Sequence, residues 1–163
     1  MDQAENLRTL AEVAVAFAGF TGIVAVLGKR SSNPWSSAEL NTIRTLLHTS
    51  IGATLFALLP GVLGPYVESS DLVWRASSGL FTAYHLTAIL SSLRHGSTGV
   101  TMAPWVVNLT LPIGFLSIVA TSLVTLGMFA SSAAFIYTLT VFHFIMMSAI
   151  CFGSLLLRGS PAA

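Results

Sequence analysis

The stretch "NTIRTLLHTSIGATLFALLPGVL", residues 41–63, decides how this chain folds. Arg44 and His48 stand four residues apart in a run that is otherwise apolar or small. A helix crossing a bilayer core needs about 20 predominantly apolar residues. This run, begun at about residue 38, supplies them.

The composition agrees. The 163-residue chain is 54% hydrophobic and 8% charged, whereas a soluble domain averages roughly 25% charged. Seven Lys/Arg and six Asp/Glu cannot form a solvated skin. A net charge of +1 gives no support to a nucleic-acid partner. Cys151 is the single cysteine, so no intrachain disulfide and no Cys-based zinc site can form. The opening "MDQAENLRTLAE" is acidic where a secretory signal would be basic, so the first apolar run reads as a retained helix. Asn108, in "NLT", sits within an apolar run and is not a plausible glycosylation acceptor.

Working outward, five runs are long enough to span: about 9–28, 38–63, 71–94, 104–126 and 131–157. "GKRSSNPWSS", "GPYVESSD", "HGSTGVTMAP" and "GMFASS" separate them. Ser36 with Glu39 fits a capping box, and "SSD" before Leu72 offers an N-cap. Alternating short strands are missing, which excludes a barrel. The expected fold is all-α: a polytopic integral membrane protein, a five-transmembrane-helix bundle with short loops, one domain over residues 1–163.

Basic residues set the expected direction. Lys29 and Arg30 follow the first run, Arg94 and His95 the third, and Arg158 the fifth, while Glu68 and Asp71 lie in the second connection. That pattern predicts an N-terminus outside and a C-terminus in the cytoplasm of a bacterial-type inner membrane. Trp35, Trp74 and Trp105 fall near run boundaries, where interfacial aromatics belong.

Helical periodicity then sorts the polar residues into faces. Asn41, Arg44, Thr45, His48 and Gly52 share one face of the second helix, with Ile43, Leu46, Leu47 and Ile51 opposite. Arg75, Ser78, Thr82 and His85 share a face of the third. The first helix carries the small residues Ala14, Ala18, Gly22 and Ala25, and the fourth Thr110, Gly114, Ser117 and Thr121, which suit close helix packing. At 1.5 Å per residue, His48 and His85 each lie about 14 Å inside the boundary, and His143 a turn further out. Intramembrane ionisable groups are costly and face an interior or a partner. The expectation is therefore that Asn41, Arg44, Thr45, His48 and His85 form a polar intramembrane site on a wet interior, and that Glu12 pairs with Arg75 near the outer boundary.

Three chemistries fit such a site. Arginine drawing anions and histidine passing protons would make it channel-like or transport-related, with a homo-oligomer or a membrane-complex partner completing the path. His48 and His85 on facing helices could instead ligate one haem b. His143, Met147 and Cys151, four residues apart on one face, offer softer metal ligands, though one helix alone cannot enclose an ion. An accessory subunit with no chemistry of its own is the remaining reading. No catalytic motif and no pair of intramembrane carboxylates is present, so enzymatic activity is not the expectation.

Overall fold

The computed structural model describes residues 3–29, 35–94 and 104–158. Among them are five α-helices and no strand: α1 Gln3–Lys29, α2 Ser37–Leu63, α3 Ser70–Arg94, α4 Pro104–Thr125 and α5 Ala133–Arg158. Short 3-10 turns lie at Gly64–Tyr66 and Ala130–Ser132. Each apolar run falls on one helix. Only α1 starts well ahead of its run, because Ala4, Glu5, Leu7 and Arg8 are good helix formers that carry the helix past its apolar part.

The ends follow local chemistry. The Ser36 amide donates to Glu39 Oε2 at 2.8 Å and the Glu39 amide to Ser36 Oγ at 3.3 Å, the expected capping box. The Leu72 amide reaches Ser69 Oγ at 3.5 Å at the start of α3. After α4 the Gly127 amide donates to the Val124 carbonyl and that of Met128 to Leu123, at 2.9 and 3.0 Å. Gly127 has φ 85°, so this is a Schellman ending on a left-handed glycine.

α2 and α5 pack together at the centre. α1 packs on both; α3 packs on α4, α2 and α5; and α4 packs also on α5. The main core joins Leu7, Ala14, Phe56, Phe81, Tyr137 and Phe144. A smaller cluster joins Ile43, Leu46, Cys151 and Leu155. This arrangement corrects the expected division of α2. Ile43 and Leu46 are buried at 7% and 0% exposure, and Arg44 is exposed. Ile43 and Leu46 are enclosed because α2 is central, Leu47 is half-buried, Ile51 is exposed, and Arg44 points away from the core.

Beside this apolar core the bundle buries hydroxyls and exposes large apolar side chains. Thr21, Thr42, Ser50, Ser78, Thr121 and Ser148 are buried, while Val15, Phe20, Leu55, Leu80, Phe115 and Leu139 are exposed. Inside, hydroxyls bridge helices: Thr49 Oγ1 and Ser50 Oγ lie 2.7 and 3.1 Å from Ser148 Oγ. Among the described residues three helical stretches are long and apolar enough to cross a membrane: Gln3–Val26, Ser37–Tyr66 and Ala130–Leu156. α4 offers a shorter apolar stretch, Thr110–Thr125. α3 is diluted by Arg75, His85 and its serines.

Candidate functional site

Three histidines from three helices gather around one aromatic ring. Phe144 on α5 is 2% exposed. His85 of α3 meets it edge-on, centroids 4.9 Å apart at 86°. His143, its neighbour on α5, lies at 6.4 Å, and His48 of α2 at 6.5 Å. His48 also lies flat on Tyr84, 4.3 Å away at 3°, and the Tyr84 hydroxyl donates to the His48 carbonyl at 2.9 Å. His48 Nε2 is buried without a hydrogen-bond partner among the described residues. The position a Cβ on Gly114 of α4 would take is 3.6 Å from His143 Nε2 and 4.0 Å from His85 Nε2. The glycine therefore leaves a gap that both imidazoles border.

A polar seam leads away from this cluster between α3 and α4. The small stripe of α4 faces the polar face of α3, antiparallel. Thr82 Oγ1 donates to Thr121 Oγ1 at 2.8 Å. One turn on, a Cβ at Gly79 would touch Thr125 Cγ2 at 3.1 Å. Ser78 is fully buried, with its Oγ unpartnered among the described residues. At the end of the seam Arg75 Nε donates to the Thr125 carbonyl at 3.2 Å, and Nη1 lies 3.6 Å from Asp71. A guanidinium on exposed C-terminal carbonyls complements the helix dipole. The seam therefore presents one polar group per turn from Asp71 to His85.

These contacts place the expected residues as follows. His48 and His85 both lie beside Phe144. His143 belongs there too, although depth alone put it a turn further out. A turn is about 5.4 Å, and side chains from two helices can close that offset. Thr45 donates to the Asn41 carbonyl on its own helix at 2.9 Å. Asn41 and Arg44 stand a turn or more from the cluster toward the start of α2, and Arg44 is exposed. The expected Glu12–Arg75 pair does not form. Glu12 lies 4.0 Å from Arg8 on α1, and Arg75 takes Asp71 and the end of α4. The reason is the topology: α2 and α5 stand between α1 and α3.

His143, Met147 and Cys151 do share a face, but Cys151 is 0% exposed among Ile43, Leu46 and Leu155. Among the described residues no group of three or more His, Cys, Asp or Glu side chains is placed to hold a metal ion. Of the basic residues that set the expected direction, Arg30 and His95 lie outside the described residues, as do the side chains of Lys29, Arg94 and Arg158 and that of Trp105.

Helices long and apolar enough to span a bilayer, wrapped around a hydroxyl-lined interior, are the make-up of a membrane protein. No protein-family model, no curated protein and no solved structure matches this chain.

Proposed function

We propose that the chain is a five-span protein of a bacterial-type inner membrane, and that its α3–α4 seam passes protons between the outer surface and the histidine cluster as part of a transport function. The observation that carries this is the turn-by-turn row Asp71, Arg75, Ser78, Thr82, His85 on α3, joined to α4 where Arg75 meets the Thr125 carbonyl, Thr82 meets Thr121 and His85 borders Gly114. At 1.5 Å per residue the row runs about 21 Å into the bundle. A hydroxyl can donate and accept at once, and a neutral imidazole accepts at one nitrogen and donates at the other.

Five spans rest on the outward faces of α3 and α4, the two helices outside the three membrane-length stretches. α3 exposes Leu72, Leu80, Leu86, Ile89 and Leu90, and α4 exposes Leu111, Ile113, Phe115, Leu116 and Val119. Only lipid or another apolar partner suits such faces. The loop charges orient the chain with its N-terminus outside. Phe56, Phe81, Tyr137 and Phe144 fill the centre, so the path to the cytoplasm runs along the bundle surface beside Arg44, where a second copy or a membrane partner supplies the facing wall.

Reconstituted vesicles test this directly. A pH-sensitive dye inside should report proton entry driven by an applied potential. Thr82→Val together with Ser78→Ala should slow entry severalfold, and His85→Gln should slow it as well. Wild-type vesicles no faster than empty ones would sink the proposal. A reporter active only in the cytoplasm should give signal when fused after Arg158 and none at the N-terminus.

A further inference from the structure

α1 and α3 both lean on α2, and a wedge remains between them at the end of the bundle that carries residues 3–8 and 64–74. It is a cleft of about 740 Å³, within the range of small-ligand sites. Its floor is apolar: Leu7, Ala57 and Val73 are 3%, 3% and 6% exposed, and Pro60 is buried. Trp74 forms a wall. Arg8 and Glu68, one charge of each sign, line its rim. Arg8 has only the marginal 4.0 Å contact with Glu12, and Glu68 has no ion pair among the described residues.

We infer that this cleft binds one aminophospholipid, with the acyl chain on the apolar floor, the phosphate at Arg8 and the primary ammonium at Glu68. The rim matches a zwitterionic phosphoethanolamine head in sign and in hydrogen bonding. A choline head cannot donate an N–H to Glu68, and an anionic glycerol head would meet the Glu68 carboxylate. Trp74 sits where interfacial aromatics mark the headgroup level. The inference goes beyond proton transfer and needs only that the bundle lie in a bilayer.

The test is lipid binding to the purified full chain in mild detergent, read by native mass spectrometry. The probes are dioleoyl phosphatidylethanolamine, phosphatidylcholine and phosphatidylglycerol. Phosphatidylethanolamine should bind about tenfold tighter than either of the others, the ratio one charge-assisted hydrogen bond supplies. Glu68→Gln should equalise the ethanolamine and choline lipids, and Arg8→Gln should weaken both. A Cβ at Gly61 meets nothing within 4 Å, so Gly61→Leu should narrow the cleft and weaken binding of all three lipids while circular dichroism stays unchanged. Equal binding of the three lipids to the wild type overturns the inference. So does binding left unchanged by Gly61→Leu or by Arg8→Gln.

Discussion

The Tyr137 hydroxyl on α5 donates to the Phe56 carbonyl on α2 at 2.6 Å. That carbonyl is free because Pro60, one turn on, has no N–H to return to it. Both residues are buried, Tyr137 completely. A break in one helix is thus closed by a side chain from its neighbour. This ties the outer half of α2 to α5, the pair on which every other helix leans.

Tyr137→Phe should therefore cost about 1–3 kcal/mol, the penalty of leaving a buried acceptor unmet. In a Pro60→Ala background the residue-60 amide can take over, so the cost should shrink. Thermal unfolding of the four proteins measures the coupling. Equal costs in both backgrounds would show that Tyr137 is not compensating for the proline.

Glycines separate close packing from open surface. A Cβ at Gly52 would lie 2.6 Å from Tyr84 Cε1 and 3.2 Å from Phe144 Cε1. Tyr84 cannot swing aside, held as it is by the His48 ring and carbonyl. Gly52→Ala should lose about 1–3 kcal/mol to overpacking. Gly22→Ala, into open space, should be neutral or gain up to about 1 kcal/mol of helix propensity. Melting temperatures of the two variants check the contrast.

At the end of α4, the Gly127 backbone is left-handed at φ 85°, and a Cβ there would sit 3.1 Å from Arg75 Cζ. Gly127→Ala should cost at least about 1 kcal/mol through the backbone alone, and less when Arg75→Ala has removed the guanidinium. A double-mutant cycle on thermal stability gives the difference.

Arg75→Gln should lower stability, because it leaves the Thr125 carbonyl and Asp71 without their cation. Glu12→Gln should change it by no more than about 0.5 kcal/mol, since exposed i,i+4 pairs are weak. The two changes should add. Coupling between them would mean that the helices meet in a way the structure does not show.

The helices were legible because apolar run length and capping residues are local properties. Ser36–Glu39 and Gly127 act where the sequence places them. The α3 and α4 faces were legible too, since periodicity alone puts Arg75, Ser78, Thr82 and His85 on one side. That the two faces oppose each other was not, because adjacency depends on which helices share a neighbour. The same ignorance produced the Glu12–Arg75 pair and turned Arg44 inward. Hydropathy cannot tell an aliphatic face that meets lipid from one that meets α5, and Leu46 looks the same in either setting. His143 was set apart by counting residues along α5, where reach across helices was the deciding quantity.

The polar inner face of α3 bears on how the chain is made. If all five helices sit in the bilayer, α3 must cross it carrying Arg75, His85 and the serines at 77 and 78. Arginine at a helix centre costs about 2.5–3.5 kcal/mol to insert, and less nearer the ends. Once α4 follows, its threonines meet that face and its last carbonyls receive Arg75. The two helices are therefore expected to leave the insertion machinery as a hairpin. A nascent chain stopped after Arg94 should slip back from the membrane far more often than one stopped after Phe129.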